Sequence, residues 1–292
     1  MTSENAEFAR ALEAPNAAVD PLEWMLPYAS LYSDRGLSSD TSILSSFAVD
    51  AALEALGKSG LIARRSIHRV AVVGPGLDFL NKADGHDFYP EQTIQPFALV
   101  DSLIRFGLAQ ADDVSVTTFD VSSRVNQHLS AARDRALKGT GYVVQFPLSN
   151  TERWSQGLVQ YWERAGGHIG EEVRASVPPS TAGVVKARAV RVRPDIVKSI
   201  VPRDLNVVLG RLEPLRDDER FDLVVATNVF VYYEAFEQAL AMVNIGRMLR
   251  SGGSLLSNQA VRPVPPMNTA VGHETVVYSD RQFDHLFWYQ RQ

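Results

Sequence analysis

Two short segments contain the residue types that could hold a nucleoside. The segment "VAVVGPG", residues 70–76, is an apolar run that ends in a Gly-Pro-Gly turn. Glycine lets the backbone approach a ligand closely and adopts positive φ without steric cost. The segment "VTTFD", residues 116–120, ends in Asp120, whose carboxylate can accept two hydrogen bonds from a ribose diol. The predicted nucleoside-binding residues are Gly74, Pro75, Gly76, Asp120 and Val121.

The spacing departs from the dinucleotide-binding fingerprint in two respects. A third glycine is expected near position 79, where Phe79 stands, and a helix should start directly after the turn. Asp120 follows Gly76 by 120 − 76 = 44 residues, against about 20 in the fingerprint. An inserted loop over residues 77–95 accounts for the excess. A pyrophosphate site is therefore disfavoured, while a plain strand-end turn at the glycines and a helix cap at Asp120 stay as alternatives.

A third segment, "FDLVVATNVFVYY" at residues 221–233, predicts a strand that leaves through Asn228. Its end, together with the polar and aromatic 77–95 loop, could line a binding crevice. The substrate-binding candidates are His86, Phe88, Tyr89, Gln92, Tyr232 and Tyr233. We expect no metal site, because the Asp, His and Glu residues of the loop show no recurring ligand spacing.

The composition excludes several kinds of site and partner. The 292-residue chain has a formal net charge of −5 and no cysteine. Disulfides, zinc–thiolate sites, iron–sulfur clusters and thiol nucleophiles are therefore excluded. The acidic balance argues against nucleic acid as a partner, and no apolar run approaches the roughly 20 residues that span a bilayer. The N-terminus has no apolar core of a secretory signal, so we expect a cytoplasmic protein that binds no membrane.

The elements that must position these residues alternate between strand and helix. Short apolar runs predict strands over residues 69–74, 114–120, 142–147 and 221–227. The segment "NVVLGRLEP" predicts a further short strand, and the basic "VVKARAVRVRP" predicts an exposed edge strand. Near the C-terminus, "TVVYS" and "HLFWYQRQ" predict an antiparallel pair. The long helix "YEAFEQALAMVNIGRMLRSGG" is expected to close at Gly252 and Gly253.

This alternation predicts an α/β fold with a doubly wound, mostly parallel seven-stranded sheet and a C-terminal antiparallel strand. N-terminal helices over residues 1–66 would precede a domain over 67–292, with insertions at about 77–95 and 148–203. Ligands of such sheets bind beyond the carboxyl ends of the strands. The glycine turn, Asp120 and Asn228 should therefore surround one crevice.

With these elements in order, the chain resembles the class I S-adenosylmethionine-dependent methyltransferases. The matching segments are "VAVVGPG", "VTTFD", "VVLGRLEPL", "FDLVVATNVFVYY" and "MLRSGGSLL". The stretch "NVFVYY" is also similar to the chemotaxis-receptor type of methyltransferase. The resemblance implies S-adenosyl-L-methionine as the cofactor, with the glycines against its methionine part and Asp120 on the ribose. It further implies that Leu212 borders the adenine and that Asn228 and Val229 face the methyl-bearing end.

The resemblance implies methyl transfer to oxygen or nitrogen of a small-molecule acceptor by in-line displacement. Aligning donor and acceptor supplies much of such catalysis, so we assign no catalytic residue. Two other functions stay open, an NAD(P)-dependent oxidoreductase and a non-catalytic methyltransferase-like binding protein. The N-terminal helices could serve a partner protein or a homodimer.

Overall fold

The structure is a computed structural model that describes residues 43–81, 86–178 and 185–292. The helices predicted before residue 43 lie outside these ranges, as do residues 82–85 of the predicted loop. The helices of the described part are α1 (Ile43–Lys58), α2 (Gln95–Arg105), α3 (Ser123–Leu137), α4 (Gln156–Arg164), α5 (Pro194–Ser199) and α6 (Ala235–Met248). None of them has the length and apolarity needed to cross a membrane.

The described strands form three sheets. The first six strands are β1 (Arg69–Val73), β2 (Asp78–Asn81), β3 (His86–Gln92), β4 (Ser115–Asp120), β5 (Tyr142–Ser149) and β6 (Gly170–Val173). The other six are β7 (Val185–Val192), β8 (Ile200–Asp204), β9 (Phe221–Ala226), β10 (Leu249–Ser257), β11 (Met267–Val277) and β12 (Phe283–Arg291).

The central sheet has seven strands in the order β8-β4-β1-β9-β10-β12-β11. Six of them run parallel, and β12 lies antiparallel between β10 and β11. Numbered along the chain within this sheet, the order is 3-2-1-4-5-7-6. It is the doubly wound order 3-2-1-4-5-6 with a last strand inserted antiparallel. The predicted fold class is confirmed.

The middle of the sheet is buried on both faces, which explains its unbroken apolar runs. All six residues of β9 are buried, as are four of the five in β1. Two apolar clusters cover the two faces, and α1 packs into one of them through Val49, Leu53 and Leu56. Within that cluster the buried Asp50 accepts a hydrogen bond from Ser102 at 2.6 Å and pairs with Arg105 and Arg164.

The insertion after the glycine turn is a β-hairpin. Residues 77–95 were expected to form a loop, but β2 and β3 pair there antiparallel. The hairpin rests on the rest of the chain through Glu91, which pairs with Arg124 of α3 at 2.6 Å. A polar, aromatic sequence therefore forms strands here because β2 and β3 pair with each other and polar side chains of the hairpin bond to neighbouring elements.

A separate three-stranded antiparallel sheet with the order β5-β7-β6 begins at Tyr142 and ends at Val192, and so overlaps the second insertion predicted at about 148–203. The run at 142–147, predicted as an ordinary third strand, belongs to this sheet and not to the central one. The basic strand β7 was predicted at an edge, but it is the middle strand. The reason is that Arg188 and Arg191 form ion pairs with Glu172 and Glu171 on the neighbouring strand β6. Opposite charges on adjacent strands stabilise their pairing.

Two local predictions in the last third of the chain were wrong. The "NVVLGRLEP" segment is a turn, because the Asn206 side chain accepts from Val208 N at 2.9 Å and Asn244 donates to the carbonyls of Val207 and Val208. The third core strand is β8, just before it. The long helix α6 ends at Met248, and Gly252 and Gly253 lie within β10.

Candidate functional site

Three neighbouring strands bring the predicted residues to one edge of the central sheet. The register places Val73 of β1 opposite Phe119 of β4, and Val72 opposite Val225 of β9. Because these strands are parallel, the turns that follow them emerge side by side. The glycine turn, the Asp120 region and the Asn228 region therefore meet there, as expected for a doubly wound sheet.

The glycine turn has a backbone that only glycine adopts readily. Gly74 and Gly76 both have φ of 63°, in the left-handed region. Gly74 N–H donates to Phe119 O at 2.8 Å, and a Cβ on Gly74 would lie 3.3 Å from Cγ2 of Val229. Pro75 and Gly76 are buried. The turn is thus tied to β4 on one side and packed against the β9 turn on the other.

The chain does not pass from this turn into a helix. It enters β2, and the next helix begins only at Gln95. Pro96 in the first turn of that helix has no N–H to offer a phosphate. A pyrophosphate site of the usual kind, with a helix N-terminus directly after the glycines, is therefore not formed.

Asp120 lies at the carboxyl end of β4, within reach of the glycine turn. Its Oδ1 accepts a hydrogen bond from Ser122 N at 2.8 Å, and the N–H groups of Gly76 and Val121 also bond to the carboxyl group. Burial raises the pKa of Asp120, and the charge of Asp204 at the end of β8 adds to this rise. The pKa is raised despite three backbone hydrogen bonds, because the effect of burial outweighs theirs.

Asp120 does not cap the following helix in the usual way. The N-cap of α3 is Ser122, and no side chain there bonds to the first-turn N–H groups. Asp120 instead accepts from the N–H of the N-cap residue itself. Val121, next along the chain, is 64% exposed. Because Val121 is exposed, a ligand can reach the carboxyl end of β4 from the solvent.

Asn228 holds the turn after β9 in place. It has φ of 56°, which is uncommon outside glycine, and its N–H donates to Asn258 Oδ1 at 2.7 Å. The side-chain amides of these two residues also bond to each other, and Asn258 reaches Asp284 at 3.2 Å. Val229, the next residue, is buried against Gly74. Asn228 thus ties β9 to β10 and β12.

The two tyrosines after β9 differ in their surroundings. Tyr232 is 65% exposed, whereas Tyr233 is half-buried. Burial raises the pKa of Tyr233, and the charges of Glu237 and Asp120 raise it further. Tyr233 therefore lies close enough to Asp120 to sense its charge, and its phenol stays protonated at neutral pH.

The hairpin residues predicted to bind substrate differ from one another in their contacts. Phe88 and Tyr89 pack edge to face with ring centroids 5.0 Å apart, and Tyr89 is buried with its hydroxyl donating to Asp78 at 2.8 Å. Gln92 bonds to both backbone groups of Gln145 on β5, at 3.0 and 2.7 Å. Its amide anchors the hairpin to the second sheet. His86 begins β3, and its side chain lies outside the described part of the structure.

Leu212 lies apart from this group. Its N–H contacts the Met248 sulfur at 3.4 Å, at the C-terminal end of α6. That end of α6 leads into the start of β10, so Leu212 is near the amino edge of the sheet and not beside Asp120. The cause is the turn after β8, which carries the chain down along α6 instead of forming a strand.

Some residues of the site were not predicted. Gln95 Nε2 donates to Thr227 Oγ1 at 2.6 Å and joins the start of α2 to the end of β9. Asp204 stands opposite Asp120 in the β4–β8 register. A third feature is a network under the hairpin, in which His128 lies 2.8 Å from the Tyr142 hydroxyl and 3.6 Å from Glu91. Only long-range pairing brings these residues together, so no local pattern could reveal them.

The network under the hairpin is shielded from solvent. Burial lowers the pKa of His128, although the charge of Glu91 opposes this. The Tyr142 hydroxyl also accepts from Thr93 N at 2.9 Å. Nowhere in the described ranges do three His, Asp or Glu side chains come together as ligands for a metal ion.

Comparisons with known proteins find only distant similarity. No family model and no curated protein matches the chain. Among solved structures, TrmN from Thermus thermophilus is 11% identical, with 83% of this chain and 48% of that chain covered and a TM-score of 0.40. The chain thus spans about half the length of TrmN.

Two other solved structures align over nearly all of both chains. N-methyltransferase NodS from Bradyrhizobium japonicum WM9, in complex with S-adenosyl-L-homocysteine, is 15% identical over 99% of each chain, with a TM-score of 0.38. Magnesium protoporphyrin IX methyltransferase (ChlM) from Synechocystis PCC 6803, with bound SAM, is 9% identical over 100% of this chain and 92% of that chain, also with a TM-score of 0.38. The chain is similar to these methyltransferases only at that distance.

Proposed function

We propose that the protein is an S-adenosylmethionine-dependent methyltransferase that transfers a methyl group to oxygen or nitrogen of a small-molecule acceptor. The observation that carries this proposal is the pairing of Asp120 with a glycine turn that leads into a hairpin and not into a helix. Such a site suits a nucleoside with a ribose diol and no phosphate. The sequence motifs of the class I methyltransferases support the same conclusion.

Each part of the cofactor has a suitable set of groups at this edge. The Asp120 carboxylate, beside the exposed Val121, would accept from the ribose hydroxyls. The backbone of the turn from Gly74 to Gly76 would lie against the methionine part. The predicted adenine contact, Leu212, has its N–H on the Met248 sulfur, so we propose a different segment for this contact. Leu205, whose N–H donates to Asp120 O at 3.4 Å, begins the stretch to which we assign that contact.

The chemistry requires alignment more than acid–base catalysis. When bound, S-adenosylmethionine supplies a methyl group on a sulfonium, and the acceptor lone pair forms the new bond as the carbon–sulfur bond breaks. Val229 and the rigid Asn228 turn would fix the methyl-bearing end, which is the kind of positioning that lowers such barriers. Tyr233 stays protonated, so it would donate a hydrogen bond to the acceptor and would not act as a base.

The acceptor would enter beside the same edge. The exposed Tyr232 and the partly buried Phe88 offer aromatic surface suited to a small organic molecule. No nucleic acid or membrane is part of the proposal, in line with the net charge of −5. A cytoplasmic location and a homodimeric state stay predictions from the sequence.

A parallel binding experiment tests this function against its two competitors. The unfolding midpoint is measured with S-adenosylmethionine, S-adenosylhomocysteine, NAD or NADP. A ligand at 100 times its dissociation constant adds about 2.7 kcal/mol of stability, and we expect this for the two sulfur nucleosides only. Stabilisation by NAD or NADP alone would refute the proposal in favour of an oxidoreductase. No shift with any of the four would favour a binding protein without this cofactor.

A further inference from the structure

A second cleft lies at the opposite edge of the central sheet. It has a volume of about 630 Å³. One wall is apolar, formed by Leu212, Pro214 and Leu215, and the other is basic, formed by Arg220, Arg247 and Arg291. β9 begins directly after Arg220, so this edge carries the amino ends of the parallel strands. The six residues of β9, at about 3.3 Å each, put it roughly 20 Å from the Asp120 edge.

The three arginines of this cleft are poorly neutralised. Among the described carboxylates, only Asp217 comes within ion-pair distance of any of them, at 3.2 Å from Arg220. The Asp217 side chain is fully exposed, and exposed pairs of this kind contribute little. Arg247 is exposed to solvent. The basic wall therefore carries positive charge that the described part of the protein does not balance.

Arg291 shows the consequence of this imbalance most clearly. Its guanidinium donates to the Leu249 carbonyl, but its buried Nε has no hydrogen-bond partner among the described residues. Burial lowers the pKa of Arg291, and the nearby charge of Arg220 lowers it further. A buried donor without a partner and two mutually repelling cations are both relieved by a bound anion.

The acidic residue at the rim does not cancel this charge. Glu213 lines the cleft, but its carboxylate pairs with Arg211, which also bonds to Asn244 at 3.0 Å. The chain as a whole has a net charge of −5. A local group of three arginines in a concave surface therefore stands out from an acidic background and would attract anions to this place.

We propose that this cleft binds a small organic anion that carries a phosphate group. The guanidinium fork matches phosphate oxygens with two parallel hydrogen bonds, and these charge-assisted bonds are about twice as strong as neutral ones. The apolar part of the ligand would lie against Leu212 and Leu215. The site is independent of the proposed methyltransferase function, because it shares no residue with the Asp120 edge.

Phenyl phosphate is a suitable probe, since it combines a phosphate with an apolar ring. Isothermal titration at constant ionic strength should give saturable binding with one site per chain, tighter than inorganic phosphate. Arg247→Gln should weaken this binding at least about tenfold, because a charge-assisted bond is lost. Arg220→Gln should weaken it as well. Arg153→Gln is the matched control, an exposed arginine of the second insertion, and should leave the affinity unchanged.

Four results would overturn the proposal. One is the absence of saturable binding to the wild-type chain. Another is an affinity that Arg247→Gln and Arg220→Gln leave within threefold of wild type, with unfolding midpoints showing that both variants are folded. The third is an equal loss in Arg153→Gln. Asp120→Asn should bind phenyl phosphate as the wild type does. Tighter binding there, as expected when a carboxylate beside the anion is removed, would place the anion at the other edge and refute the cleft.

Discussion

Replacing Asp120 by asparagine should separate the stability of the protein from its affinity for the cofactor. An ionised carboxyl group offers about four acceptor positions, and the backbone N–H groups of Ser122, Gly76 and Val121 already bond to it. Asparagine offers two acceptor positions on one oxygen and turns an amide NH₂ toward these donors. The three backbone N–H groups then compete for two acceptor positions, so one of them loses its acceptor and no position is left for a ribose hydroxyl.

The expected loss of affinity follows from that count. A hydrogen bond to a charged group contributes about 1.5–3 kcal/mol. Losing one such bond should weaken the binding of S-adenosylhomocysteine by about 10- to 150-fold. Isothermal titration of the wild type and of Asp120→Asn measures this ratio directly. Asp204→Asn is the matched control, because Asp204 lies opposite Asp120 on the next strand but is exposed.

The stability of the Asp120→Asn variant should change much less than its affinity. Burial raises the pKa of Asp120 more than its hydrogen bonds lower it, so ionisation of this group opposes folding. A neutral asparagine removes that cost but leaves one backbone N–H without its acceptor. The two effects offset each other, so the unfolding midpoint at pH 7 should stay close to that of the wild type. Asp204→Asn should keep wild-type affinity, since it removes only a repulsive charge from Asp120.

The same group gives a pH dependence with a fixed sign. Its folded pKa lies above the ordinary aspartate value of 3.8, so its contribution to stability is present at low pH and is lost as the pH rises through the folded pKa. Affinity for S-adenosylhomocysteine should do the opposite and fall as the pH drops through that pKa, because the protonated acid has fewer acceptor positions. If Asp120→Asn is folded but binds within threefold of the wild type, the ribose assignment is refuted.

Two further pairs of substitutions test the packing of the glycine turn and the buried charge of α1. Gly74→Ala should destabilise the protein by more than the roughly 1–2 kcal/mol of a left-handed residue alone, because its Cβ would lie 3.3 Å from Val229. Gly60→Ala, with φ of 74° and open space around it, measures the backbone cost alone, so equal losses in urea unfolding would contradict the contact argument. Asp50→Ala should cost about 3 kcal/mol, because it leaves two arginines without their buried partner. Glu54→Ala, which breaks an exposed pair on the same helix, should cost less than about 0.5 kcal/mol, and a similar loss in both variants would refute the assignment.

The sequence alone was sufficient to predict those strands whose apolar pattern matches their burial in the sheet. β1 and β9 are buried on both faces, so their apolar runs mark them as core strands whatever their neighbours are. Polar or glycine residues directly after such runs mark the carboxyl edge. Gly74 and Asp120 could be placed at one crevice from that alone, and the 44-residue separation correctly indicated an insertion between them.

Strand partners could not be predicted in the same way. The β5 run looks like any buried strand, but it pairs with β7 in another sheet, and nothing within its eight residues encodes that choice. The charges of β7 indicated an edge because its acidic partners on β6 lie about 20 residues earlier in the chain. Period and propensity describe one strand, whereas pairing depends on residues far away in sequence.

The segment after β8 is a turn and not the predicted strand, and this difference changes the position of Leu212 in the fold. If the segment after β8 were a strand, it would rise toward the carboxyl edge and bring Leu212 near Asp120. The amides of Asn206 and Asn244 instead bond to this segment as side chains, and they turn it along α6 toward the amino edge. The same turn gives the arginine cleft its apolar wall. Replacing Asn244, which is buried and bonds to two carbonyls and to Arg211, would therefore disturb the cleft far more directly than the Asp120 edge.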